Sequence, residues 1–180
     1  TRQEKIEYIA ALRERLIREA RTDLFAVYPC YYAYFDPAEF HVRYYHVLTL
    51  FAEGKIKKLM VFMPPQHGKS EGSTRRLPAY ILGRNPDNKI AVVSYFGTEA
   101  RKFNREIQRI IDTPEYAEIF PETRLNSSNI TTVAGAWLRN ADECEIVGHR
   151  GGFKTVGVGG PLTGEPVDNP YNGDIYKDAK

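Results

Sequence analysis

Lys58-Leu59-Met60-Val61-Phe62-Met63-Pro64-Pro65-Gln66-His67-Gly68-Lys69-Ser70-Glu71 is the stretch on which the fold turns. Its first five residues form a short apolar run suited to a buried parallel strand. Met63 to His67 read as a loop, and Gly68-Lys69-Ser70 open a helix reaching about Leu82, which Gly83, Asn85 and Pro86 close. Strand, tight loop and Gly-Lys-Ser at a helix start is the arrangement a phosphate loop needs. Gly68 lets the backbone approach an anion with no side chain in the way. Backbone amides at the helix start hold the anion, and Lys69 adds a full charge near the β- and γ-phosphates. Ser70 offers a hydroxyl to the Mg²⁺ that bridges those phosphates. Pro65, Gln66, His67, Gly68, Lys69, Ser70 and Glu71 are therefore the candidate nucleotide-binding residues. The first glycine of the general pattern would fall on Met63, so its strict form is not met.

The segments on either side support this reading. Downstream, Lys89–Tyr95 is a second buried strand, and Thr98–Ile111 an amphipathic helix with Phe103, Ile107, Ile110 and Ile111 on its apolar side. Thr113-Pro114 and Phe120-Pro121 mark a loop. Short strands are expected at Ile130–Val133, Glu143–Val147 and Phe153–Val158, with His149–Gly152 turning between the last two. Upstream, residues 1–21 read as a charged helix with Ile6, Ile9, Leu12, Leu16 and Ile17 recurring at helical spacing. An aromatic-rich stretch, Phe25 to Tyr45, leads into a helix from Pro37 to Ala52 that ends at Gly54. Alternating strands and helices predict an α/β layered domain with a mainly parallel sheet.

Bulk properties exclude little. The 180 residues are 42% apolar and 27% charged with a net charge of +2, which suits one globular domain and announces no polyanion partner. No apolar run approaches the ~20 residues of a membrane span, and no export signal is visible. Cys30 and Cys144 read as reduced, buried thiols of a cytoplasmic protein. Two basic groups, Lys55/Lys57/Lys58 and Arg101/Lys102/Arg105/Arg109, could meet nucleic-acid phosphates, although solvated faces explain them as well.

Leu59–Glu71, LMVFMPPQHGKSE, closely resembles the phosphate loop of phage terminase large subunits. The resemblance continues through Ala79–Pro86, Ser94-Tyr95, Trp137-Leu138 and Gly157–Gly164, covering most of residues 40–168 in the family's order. It implies a three-layer P-loop NTPase domain of the additional-strand class, preceded by N-terminal helices, that binds ATP and Mg²⁺ and couples hydrolysis to movement along double-stranded DNA. Residues 1–52 would then be an N-terminal helical, adenine-side segment and 53–180 the ATPase core. The portal, the small terminase subunit and further copies in a ring are the partners it implies, in the host cytoplasm or from a prophage.

Phe40, His41 and Tyr44 lie at the distance upstream where the family holds adenine, and their rings suit core packing equally well. Gln66 stands where many relatives carry arginine, so Arg75 and Arg76 become candidates for neutralising transition-state charge. The Gly-rich stretch Gly157–Gly164 is followed by Glu165, Pro166 and Asp168. It therefore suits a loop sensing nucleotide or neighbours better than a second phosphate site.

The family's acidic pair after that loop has no clear counterpart. Asp174, before Lys177-Asp178-Ala179, is the best match for the catalytic and Mg²⁺-organising carboxylate. Asn169-Pro170-Tyr171-Asn172-Gly173 does not suit a buried central strand. Either the hydrolytic carboxylates are lost, or residues are missing beyond Asp168. The chain is expected to be the N-terminal part of a longer protein, and no nuclease-type carboxylate cluster is visible in it. The alternatives to a motor are a nucleotide-binding module without hydrolysis and a helicase-like P-loop ATPase.

Overall fold

A computed structural model of the chain describes residues 1–31, 36–130, 136–159 and 167–172, without the side chains of 28–31 and 169–172. Three helices come first: α1 (Arg2–Ala20), α2 (Leu24–Tyr31) and α3 (Glu39–Ala52). Asp23 starts α2, its carboxylate accepting the Phe25 amide at 2.9 Å, and Thr49 of α3 accepts the Leu24 amide at 3.1 Å. The aromatic-rich stretch is thus partly helical, and the Asp23 cap is the local signal for it. Only the C-terminal end of α1 reaches the core, through Ala20 and the partly buried Ile17. Ile6, Ile9 and Leu12 are exposed.

The expected strand at Lys58–Phe62 is not formed. The segment runs without a ladder partner among the described residues. Leu59, Val61 and Met63 pack on the core while Met60 is 79% and Phe62 85% exposed. Extended backbone becomes a strand only where a neighbour takes its amides and carbonyls, and an apolar run cannot say whether that neighbour is present.

Helical backbone then begins at Lys69 and continues through a π-helical segment, Glu71–Arg76, into α4 (Leu77–Arg84). Strand β1 (Lys89–Ser94) follows, then α5 (Gly97–Ile111) with Ile107 and Ile111 buried and Phe103 and Ile110 partly so. Residues 114–119 were expected in a loop, yet Pro114–Ile119 forms α6. Thr113 caps it, accepting the Tyr116 amide at 3.3 Å, and Pro114 occupies the first turn, where its missing N–H costs nothing.

Among the described residues, strands β2 (Glu143–Glu145), β3 (Gly152–Gly157) and β4 (Asn169–Asn172) join β1 in a four-stranded sheet of order β2-β3-β1-β4. β1 runs parallel to β3 and β4, and β2 is antiparallel to β3. Pro170 is accommodated because β4 lies at the sheet edge. The chain is therefore a mixed helix-and-sheet fold with a predominantly parallel small sheet. Ile130 makes a single antiparallel bridge with Arg139, and the rest of the strand expected there lies outside the described residues.

The buried cluster draws on α1, α2, α3, α4, β1, α5, α6, β2 and β3. Gly83 lets α4 lie against Phe120, whose ring an added Cβ would strike. No helix among the described residues is long and apolar enough to cross a membrane.

Candidate nucleotide-binding site

Pro64 to His67 are exposed, and Gly68, Lys69 and Ser70 are half-buried where the helix begins. Two residues bend this loop into left-handed backbone, Gln66 at φ 64° and Gly68 at φ 81°. Glycine carries such a φ without cost, whereas a glutamine there is strained. The imidazole of His67 donates from Nδ1 to the Pro65 carbonyl at 2.8 Å, tying the loop across itself. The Gly72 amide bonds the Gly68 carbonyl at 3.0 Å, closing the first helical turn. The amides ahead of Gly72 in a helix start have no partner within the helix, and they carry the positive end of its dipole.

Helix α3 lies directly behind this loop. The Ala38 amide donates to Nδ1 of His41 at 3.2 Å, so the other ring nitrogen of a neutral His41 carries the proton. That nitrogen stands 3.7 Å from where a Gly68 Cβ would be. Phe40, half exposed, has its ring centroid 3.9 Å from that of His41 and 5.8 Å from that of His67. Three rings therefore gather at one side of the loop, an arrangement able to stack on a planar base. Tyr44, one turn further along, is buried and donates to the Lys69 carbonyl at 2.6 Å.

The acidic and basic residues after Ser70 point into the protein. Glu71 takes Arg75 and Arg76 at 2.8 Å each, and Arg75 also meets Glu106 of α5 at 2.6 Å. Burial opposes ionisation of Glu71, but hydrogen bonds and charge from the two arginines outweigh it and hold the carboxyl below its ordinary value. Arg76 is 3% exposed. Glu71 and Arg75, both candidates for contact with nucleotide, thus brace the helix against α5 in this structure. Asp174 and residues 160–166 lie outside the described residues.

The basic groups are exposed as expected. Three of their members already face acids: Lys55 with Glu53 at 2.8 Å, Arg101 with Asp142 at 2.7 Å, and Lys102 with Glu99 at 3.9 Å.

A test of fit to magnesium nucleotide rests on the loop. A left-handed glycine, a helix start, a lysine and a hydroxyl stand together, with ring faces alongside. Among the described residues no three His, Cys, Asp or Glu side chains gather as a metal site. A Mg²⁺ carried on phosphates requires few protein ligands, so the residues present fit a nucleotide-borne ion.

Comparison with known protein families matches residues 60–156, more than half of the chain, to the N-terminal domain of the T4-like virus type of terminase large subunit. The match begins just before the loop and ends in β3. No curated protein and no solved structure matched the chain.

Proposed function

Because the chain belongs to the family of T4-like terminase large-subunit N-terminal domains, whose role is in phage DNA packaging, we propose that it is the ATP-binding motor domain of such an enzyme. In this reading it adopts a P-loop NTPase fold and couples ATP hydrolysis to translocation of double-stranded DNA. The observation that carries the reading is the Gln66–Ser70 loop, bent through two left-handed residues into the start of a helix.

The chain's residues then divide the work. Amides around Gly68–Ser70 hold the β- and γ-phosphates, and Lys69 neutralises their charge. The Ser70 hydroxyl would help hold Mg²⁺, which when bound would withdraw charge from the phosphate oxygens. Phe40, His41 and His67 offer ring surface to adenine. Pro65 shapes the loop through its carbonyl, which accepts the hydrogen bond from His67 Nδ1. Asp174 is the candidate for the carboxylate that organises Mg²⁺ and water, and Arg75 for a charge that meets the transition state once released from its two acids. DNA, the portal, the small subunit and a ring of further copies are the partners of this function.

The test is calorimetric titration of the 180-residue chain with ATP in Mg²⁺, beside Lys69→Ala. The parent should bind one nucleotide, and the variant should bind it at least tenfold more weakly with an unchanged melting temperature. Equal affinities would reject the site. Binding without turnover in the full-length protein would instead identify a nucleotide-binding module that no longer hydrolyses.

A further inference from the structure

The helix that leaves the phosphate loop is widened at one place. The Leu77 amide reaches back to the Gly72 carbonyl, five residues away, where an α-helix would take four. Such π segments recur at functional sites. Here the widening coincides with two hydroxyls on one carbonyl: Tyr44 donates to the Lys69 oxygen at 2.6 Å and Ser73 at 2.9 Å. Gly72 is what admits the tyrosine, since a Cβ there would stand 2.5 Å from its ring. Tyr44 is 8% exposed, and burial raises its pKa, with the Ser73 bond opposing, so the hydroxyl stays a protonated donor.

A trans peptide is planar, and its C=O and N–H point in opposite directions. Whatever draws the Lys69 carbonyl towards α3 therefore turns the Ser70 amide the other way, away from Tyr44. We propose that Tyr44, assisted by Ser73, is a positioning residue of the phosphate loop: by holding the Lys69 carbonyl it aims the Ser70 amide at bound phosphate. The inference rests on the phosphate-loop reading and assigns Tyr44 a different task from Phe40 and His41. Tyr44 acts on the phosphates through the backbone and makes no contact with the base.

The test separates phosphate from base. Mg²⁺-ATP and Mg²⁺-tripolyphosphate are titrated into the 180-residue chain, well below its melting temperature. Tyr44→Phe keeps the ring against Gly72 and loses only the hydroxyl. It should weaken both ligands by the same factor, roughly fivefold, as suits one neutral hydrogen bond. Ser73→Ala should do the same to a smaller degree, and Ser73→Thr, which keeps a hydroxyl, should retain the parent affinity. If Tyr44→Phe fails to fold, the Ser73 pair of variants decides the matter alone.

Loss of ATP affinity with tripolyphosphate untouched would make Tyr44 a base contact and overturn the proposal. So would unchanged affinity for both ligands in a folded variant, or a parent that binds ATP but not tripolyphosphate. A parent that binds neither rejects the phosphate loop itself, and the inference with it.

Discussion

Arg75 of the π segment and Glu106 of α5 meet at 2.6 Å, while the same guanidinium takes Glu71 at 2.8 Å from its own helix. One side chain thus ties the element that leaves the candidate phosphate loop to the helix packed on the sheet. Both partners of the α5 contact keep about a quarter of their side-chain surface in water, at 29% and 23%. Screening therefore limits what the pair is worth. Glu106→Gln should lower unfolding free energy by about 1 kcal/mol, with an unchanged denaturant slope in urea titration. A loss several times larger would mean that the α5 contact, and not the local Glu71 pair, holds the segment.

Glu71 should matter more, because it neutralises Arg76, which is 3% exposed. Glu71→Gln should cost about 2–3 kcal/mol at neutral pH, somewhat less than breaking a fully buried pair. Its folded-state pKa lies below the ordinary 4.5, so the sign is that of a carboxylate stabilised as an anion. The contribution is complete above the ordinary value and disappears as pH falls through the depressed one. Unfolding free energies of parent and variant should therefore differ at pH 7 and converge in acid. A difference that grows on acidification would contradict the assignment.

Phe40→Ala should weaken Mg²⁺-ATP by about 1–2 kcal/mol, the order of one lost stacking contact, and leave tripolyphosphate affinity as it was. Paired titrations of the two ligands read this directly. If ATP binds the variant as it binds the parent, the three-ring cluster belongs to packing and takes no part in recognising the base.

Cys144 is fully buried, and its thiol is pushed up to about 12, burial being the chief cause. The thiolate is the reactive form. In a Cys30→Ser background, Cys144 should resist an aromatic disulfide reagent at pH 8 and react promptly once urea unfolds the chain. Rapid labelling of the folded protein would place the sulfur nearer to solvent than β2 allows.

Much of this architecture was legible in the residues. Gly68-Lys69-Ser70 after an apolar run marks a loop entering a helix, because few other arrangements want glycine, a cation and a hydroxyl in that order. The four apolar positions of α5 recur at helical spacing, and the burial of Ile107 and Ile111 follows that pattern. Lys89–Ser94 was recognisable as a strand because its centre, Ile90 to Val92, carries apolar residues on both faces. The N-terminal edge of α6 was readable in Thr113-Pro114, but Thr113-Pro114 and Phe120-Pro121 at its two ends suggested a loop.

Contacts between distant segments lay beyond the sequence. Composition and periodicity determined the helices α1, α3 and α5, the strand β1, and where a phosphate loop could sit, since those properties depend on neighbours a few residues away. Only the tertiary structure decided that Met60 and Phe62 face solvent, because a strand needs a partner that its own residues do not name. It alone placed Phe40 and His41 beside the loop and committed Arg75 to Glu106. The Tyr44 hydroxyl reaches a carbonyl 25 residues further along the chain. Such a bond depends on how α3 packs behind the loop, and packing is a property of the whole fold.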